Sequence, residues 1–430
     1  MKARLIACAT AALAAAIPAA ATEVERHFGD FEHVPQALRP NGVDAIGLNV
    51  LPYALAGIGY DSNIYPLRLG ARDESDLFWA GAAGVSVRSQ EWGPLVLRLD
   101  GIYRETSYFT EDTEDISEFD TNLHLGYAPW SGGLLYAEVG YLNDHVDRDD
   151  PDERDTVERT DYYTAIAKVG AKQDGEAYFL QLDWRFIDIN YNDGDRRNWT
   201  PALGIAPFEP LVERDHEEFG WQAIAGWKSS PGMMPYVLLS ATRNAYDEHA
   251  YPNQLPWTLE RPLVNRSADV WRAVAGFRWD LPTGARGDVW AGYVSQDFDL
   301  AGLKDVSTFD VGGRLRQPIS EPVSAVASLR RTVEETAVPG ASAYIETSAK
   351  LGLDARLTDA VYLRPALSYT DRDFQAIDRD DDLIGAELQA MWYWRQWLYF
   401  GATMGFVSAD SDTTNDWDRW SGLVHLNAQW

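Results

Sequence analysis

Residues 345–356 read Ile-Glu-Thr-Ser-Ala-Lys-Leu-Gly-Leu-Asp-Ala-Arg. Ile345, Thr347, Ala349, Leu351, Leu353 and Ala355 would share one side of an extended chain, with Glu346, Ser348, Lys350, Asp354 and Arg356 on the other. Successive side chains of a strand point to opposite faces, so this is the pattern of a strand with one apolar and one polar surface. The same alternation recurs along the chain. Leu95, Leu97, Leu99, Gly101 and Tyr103 oppose Arg98, Asp100 and Arg104. Trp271, Ala273, Ala275, Phe277 and Trp279 oppose Arg272, Gly276 and Arg278. Leu398, Phe400, Ala402, Met404 and Phe406 oppose Tyr399, Thr403 and Gly405. A soluble sandwich also alternates, but its strands run to about five or six residues. These segments are roughly twice as long, and tilted strands need about 9–11 residues to cross hydrocarbon. Aromatics gather near segment ends, at Trp290 and Tyr293 and again from Trp392 to Tyr399, where a bilayer meets water. The expected fold is all-β: a transmembrane antiparallel β-barrel.

The connections alternate between short and long. Short turns, most holding Gly, Pro or Asp, fall at 90–93, 129–132, 173–175, 229–235, 281–286, 317–321, 357–359 and 393–396. Longer loops fall near 65–75, 107–117, 145–158, 192–215, 248–267, 300–306, 335–343, 371–381 and 409–418. Together they join eighteen strands. An even count puts both chain ends on the short-turn side, which is periplasmic in bacterial outer-membrane barrels. The last segment alternates Trp420, Gly422, Val424, Leu426, Ala428 and Trp430 with Ser421, Leu423, His425, Asn427 and Gln429. A closing aromatic preceded by apolar residues at every second position resembles the signal read by the barrel-assembly machinery, with Val424, Leu426, Ala428 and Trp430 as its residues.

Ahead of the barrel, residues 1–21 read as a signal peptide: Lys2 and Arg4, an apolar stretch from Leu5 to Ile17, and small residues after Pro18. Residues 22–50 form a short periplasmic tail and 51–430 the barrel. Cleavage removes Cys8, the one cysteine, so the mature chain has neither a disulfide nor a thiolate metal site. The 430 residues carry 37 Lys and Arg against 66 Asp and Glu, a net charge of −29. Phosphate would be repelled, so nucleic acid is not an expected partner.

The acids crowd the long loops, notably 144–155, 111–118 and 371–382. The strands' polar faces carry Lys168, Lys172, Arg185, Arg272, Arg278, Arg314, Arg316, Arg330, Lys350, Arg356 and Arg364, with fewer acids such as Asp183, Glu346 and Asp354. Lipid exposure of a charge costs about 2–4 kcal/mol at the bilayer midplane, so these residues imply a hydrated lumen. Two readings stay open. The loop acids are a solvated surface facing lipopolysaccharide, or they combine with the lumen bases into an electrostatic filter for anions. Of the bases, Lys168, Arg185, Arg272, Arg278, Arg314, Arg316, Arg330, Lys350, Arg356 and Arg364 are the candidate pore residues. Asp188, after Phe186 and Ile187, suggests a bulge that would shift the register.

No catalytic pattern emerges. The histidines His27, His33, His124, His145, His216, His249 and His425 are scattered singly, without metal-ligand spacing. The expectation is a non-enzyme with no metal and no cofactor.

The segment Tyr60-Asp61-Ser62-Asn63-Ile64-Tyr65, preceded by Arg39-Pro40 and by Gly47-Leu48-Asn49-Val50-Leu51-Pro52, resembles the opening of the putative beta-barrel porin type 2 family. Ser62 stands where Asp is commoner. Asp61 and Asn63 lie beside the seam between first and last strands and are expected to cap it by hydrogen bonding. The resemblance extends over 39–430 and implies an outer-membrane barrel often associated with exopolysaccharide secretion, beside a periplasmic export protein. The resulting expectation is a porin for hydrophilic solutes, plausibly that conduit. The alternative is a closed or loop-plugged barrel acting as a receptor or structural protein, with loops 192–215 and 248–267 as candidates to fold inward.

Overall fold

A computed structural model describes residues 36–66, 74–90, 92–152, 159–192, 214–246, 265–336, 338, 340–412 and 416–430. The proposed signal peptide therefore lies outside the described residues, as do most of loops 192–215 and 248–267. A 3₁₀ turn at Gln36–Leu38 and a three-residue strand, β1 (Val43–Ala45), precede the wall. The wall is built from β2 (Leu48–Asp61), β3 (Asp76–Ser89), β4 (Leu95–Tyr108), β5 (Ile116–Tyr127), β6 (Gly133–His145) and β7 (Asp161–Asp174). It continues through β8 (Tyr178–Tyr191), β9 (His216–Trp227), β10 (Met233–Tyr246), β11 (Ala268–Asp280), β12 (Arg286–Phe298) and β13 (Val306–Ser320). It ends with β14 (Val323–Glu335), β15 (Ala343–Arg356), β16 (Val361–Phe374), β17 (Asp380–Arg395), β18 (Leu398–Ser411) and β19 (Trp417–Gln429). Each strand pairs antiparallel with its sequence neighbours, and β19 pairs with β2, closing eighteen strands into a ring. Closure satisfies every strand's ladder, which a sheet immersed in hydrocarbon requires.

The expected strand count and the alternation of short and long connections are both observed. The strands run to 12–16 residues, so several long connections are shorter than their composition suggested. The link after β16, for example, spans only 375–379. Both ends of the described chain lie at the short-turn end. There Ile46 (φ 53) and Gly47 (φ 75) make the two-residue turn between β1 and β2, and positive φ at both centres marks a hairpin turn whose twist suits its strands.

The two faces separate cleanly. Val424 is 65% and Leu351 60% exposed on the outside, while Asp310 and Asp354 are each 1% exposed on the inside. The register is continuous through β8 on both sides, so Asp188 faces outward opposite Glu217 and no bulge occurs there. Among the described residues the irregularities fall at Pro318/Ser320 and Tyr393/Arg395, both at short turns. Trp290 is not part of an interfacial belt. It points inward, its indole donates to Asp310 Oδ1 at 2.8 Å, and it overlies Gly312, where a Cβ would collide with the ring. Gly276 makes the same room for Tyr236. The recurrent glycines at strand centres thus admit inward aromatics from neighbouring strands.

The seam is capped by the segment beginning at Tyr60. Ser62 and Trp420 exchange hydrogen bonds, with Ser62 N donating to Trp420 O at 2.8 Å and Trp420 N to Ser62 Oγ at 2.7 Å. Asn63 Nδ2 donates to Asp418 O at 3.1 Å. Asp61, 1% exposed, takes the guanidinium of Arg419, with Nη2 at 2.6 Å and Nε at 3.0 Å from Oδ2. Arg419→Ala leaves that carboxylate buried without its cation. We expect a loss of about 3–5 kcal/mol in the unfolding free energy measured by denaturant titration in vesicles. Asn63→Ala, which removes one hydrogen bond to backbone, should cost about 1 kcal/mol.

Candidate functional site

The pairing register places all ten candidate pore bases on the inner wall. Eight stand beside carboxylates. Arg185 lies 3.1 Å from Glu218, Arg278 2.9 Å from Asp288, Arg330 2.9 Å from Glu334, Lys350 2.8 Å from Glu387 and Arg356 3.3 Å from Glu321. Arg272 pairs with Asp310, and Arg316 and Arg364 share Asp354 at 3.5 and 3.6 Å. Lys168 sits 5.7 Å over the Tyr136 ring and opposite Glu138 in the register. Arg314 is exposed to the lumen and has no ion pair among the described residues. The wall is therefore a mosaic of matched charges rather than a surface with few acids. A charge in a narrow low-dielectric channel is stabilised by a partner, so each inward base calls for an inward acid. Glu138, Glu218, Asp288, Asp310 and Glu387 escaped the sequence reading because their importance lies in which base they meet from another strand, which only the folded register reveals.

The second component is the connection between β6 and β7. Its acidic residues looked like solvated surface, but the described part, 146–152, folds into the barrel. Val146, Arg148 and Pro151 are buried. The Asp149 carbonyl accepts from Arg372 Nη1 at 3.3 Å, and Asp149 and Pro151 line one small cavity with Leu383, Ala409 and Trp417. Arg372 is on β16, nine strands from β7 around a ring of eighteen, hence on the opposite wall. Asp152 accepts from Thr336 Oγ1 at 2.7 Å, beyond the end of β14. The loop thus spans the lumen from one wall to the other.

Buried charges hold it there. Glu114, fully buried in the loop between β4 and β5, takes Arg148 through Nε at 2.9 Å and Arg159 through Nε at 2.8 Å. Arg148 also lies 5.3 Å over the ring of Tyr65, the last residue of the seam segment. Burial, and the charge of Asp152 beside it, push the Asp150 carboxyl up to about 7, against the pull of Arg214 and Arg372. At the other mouth, Leu38 packs on the inward cluster of Tyr362, Met391, Tyr393 and Tyr399, and Gln396 Nε2 donates to Arg39 O at 2.7 Å. The N-terminal segment therefore lies against the short-turn opening. Of the proposed assembly-signal residues, Val424, Leu426 and Trp430 are exposed on the outer face and Ala428 is half-buried in the same row.

The family model described as "Putative beta-barrel porin 2" matches residues 37–430. No curated protein matches the chain. Among solved structures, OccAB4 of Acinetobacter baumannii is similar at 10% identity and a TM-score of 0.48, covering 89% of this chain and 98% of that one. The siderophore receptor PirA of Acinetobacter baumannii is similar at 7% identity and a TM-score of 0.47, covering 88% and 80%. The copper transporter OprC is similar at 10% identity and a TM-score of 0.49, covering 90% and 82%. These likenesses concern the fold.

The charge mosaic makes a directional prediction. Arg314→Ala removes an unpaired lumen cation and should move the reversal potential in a salt gradient towards cation selectivity. Asp354→Asn removes the carboxylate charge beside two arginines and should move it towards anions. A common direction for both would contradict the pairing.

Proposed function

The chain belongs to the Putative beta-barrel porin 2 family, and from that premise we propose that it is a constricted outer-membrane channel for hydrophilic solutes. It is an outer-membrane β-barrel of porin type. Its placement in a Gram-negative bacterium, with the short-turn mouth in the periplasm, follows from the usual orientation of such barrels. The observation that carries the proposal is the 146–152 loop lying across a polar-walled lumen, held by Arg372 on the far side and by Glu114 beneath it. A polar wall with paired charges suits passage of water-soluble molecules, and an inward loop narrows the path to set a size limit. The reading is non-enzymatic. The electrostatic role is local selection along the lumen, with Arg314, on the short-turn half of β13, as a lumen cation without an ion pair among the described residues.

The finer reading, a conduit for exopolysaccharide beside a periplasmic export protein, rests on the family resemblance. The segment around Leu38 and Arg39 at the short-turn mouth is where such a partner would meet the barrel. Lipid and lipopolysaccharide are the expected surroundings of the outer face, and assembly is expected to use the terminal strand with Val424, Leu426, Ala428 and Trp430. A closed, receptor-like barrel is the second reading, favoured by the deep burial of Glu114, Arg148 and Arg159 where the loop is anchored.

Planar-bilayer recordings separate the two. The channel reading expects discrete steps from the native chain and a severalfold larger conductance when 147–152 is replaced by a short Gly-Ser linker. No current from either folded protein would overturn it. Asp150 adds a pH dependence. Its docked-state value of about 7 lies above the ordinary carboxyl value of 3.8. The docked loop therefore holds an extra proton between those limits and loses stability as pH rises through 7. Conductance should increase from pH 6 to pH 8, and Asp150→Asn should flatten the profile.

A further inference from the structure

Three side chains at the root of the inward loop form a site of different chemistry. Glu118 on β5 and Asp144 and His145 at the end of β6 bring their ligand atoms within 4.8 Å of one another. His145 Nδ1 lies 2.8 Å from Glu118 Oε1 and 3.3 Å from Asp144 Oδ1. His145 is 8% exposed, and this nitrogen makes no hydrogen bond of acceptable geometry to either carboxylate or to any other group among the described residues. A buried imidazole nitrogen facing two carboxylate oxygens without a well-aligned hydrogen bond to either is an arrangement that a metal ion among the three would satisfy.

We propose that Glu118, Asp144 and His145 bind a divalent transition-metal ion of the zinc class. Bonds of about 2.0–2.1 Å in a tetrahedral shell separate ligand atoms by about 3.4 Å; the Asp144 oxygen stands at 3.3 Å from Nδ1 and the Glu118 oxygen, at 2.8 Å, would move outward to admit the ion. One imidazole with two carboxylates is a borderline donor set that selects Zn²⁺ over Ca²⁺, which prefers six or more oxygens. The outer shell supports the assignment. Asp147 Oδ1 stands 3.7 Å from His145 Nε2, the nitrogen left over when Nδ1 ligates, where a carboxylate orients a metal-bound imidazole. Arg104 Nη1 lies 3.5 Å from Glu118 Oε2, which fixes that carboxylate and leaves Oε1 for the metal. The Asp144 side chain also accepts from the His145 backbone N–H at 2.9 Å, which holds Oδ1 beside the imidazole. Because the pairing of β5 with β6 ends at Phe119 and Asn143, the ion would tie the root of the 146–152 loop to the neighbouring strand just beyond the end of their ladder. The site does not depend on whether the barrel conducts.

The test is titration of the folded, detergent-solubilised barrel with Zn²⁺ by calorimetry, and with Co²⁺ by visible absorption. One equivalent of Zn²⁺ should bind at micromolar concentration or below, and Co²⁺ should give the intense bands of a tetrahedral N/O site. His145→Gln should weaken Zn²⁺ by about a hundredfold or more, and Asp147→Asn by about tenfold. Heat-modifiable gel migration checks that each variant is a closed barrel, and Asp144→Asn replaces His145→Gln if the latter fails to close. No binding by the native barrel would overturn the proposal, leaving a protonated imidazole between two carboxylates. Equal affinity for Zn²⁺ and Ca²⁺, or unchanged Zn²⁺ affinity in a folded His145→Gln or Asp144→Asn barrel, would also overturn it by assigning binding to the acidic loops.

Discussion

Everything in this molecule depends on the pairing of β19 with β2. A sheet in hydrocarbon cannot leave a strand edge unpaired, because each bare N–H and C=O costs several kcal/mol with no water to satisfy it. Closure forces the period-2 alternation along all eighteen wall strands, since one face must meet lipid and the other must enclose the lumen. It also explains the concentration of hydrogen bonds at the long-loop end of the seam. There Ser62, Asn63 and the Asp61–Arg419 pair join the two ends of the chain where the ladder would otherwise fray.

Closure also puts every inward charge in a confined space, where an ion without a partner is costly. The chain answers with carboxylates on the same strand or one or two strands away, and this accounts for part of its acidic surplus. For the rest, solvated loop surface was one of two open readings, yet some of those acids turn inward. Glu114 holds two arginines and Asp152 reaches Thr336 beyond β14, while Asp76 at the start of β3 accepts from the backbone N–H groups of Thr110 and Glu111. The loops are folded by the same rule as the wall, with buried charge matched by nearby charge or backbone donors.

Much of this was legible in the sequence because it is periodic. Alternation marked which residues face lipid, turn chemistry marked where strands end, and their count followed. The seam segment was legible because Asp61, Ser62 and Asn63 adjoin a strand end with polar groups to satisfy. What escaped was everything set by contacts distant in sequence. Arg372 and Asp149 meet across 223 residues, and nothing local distinguishes an acidic loop that crosses a lumen from one that lies in water. Trp290 was misplaced for a related reason: its direction follows from strand parity, while the room for its ring comes from Gly312 on the neighbouring strand. The Glu118, Asp144 and His145 cluster lacked ligand spacing because one of its members comes from a neighbouring strand.

The central claim is that the 146–152 loop lies against the far wall. Cys8, the only cysteine, precedes the barrel, so paired spin labels can be placed cleanly on a chain beginning after it. Labels at Asp149 and Ser411, which line the same small cavity, give the direct measurement by pulsed electron resonance in lipid nanodiscs. A loop docked on the far wall gives a single narrow distance near the short limit of the method. A broad distribution centred at several nanometres would place the loop outside the lumen and contradict it.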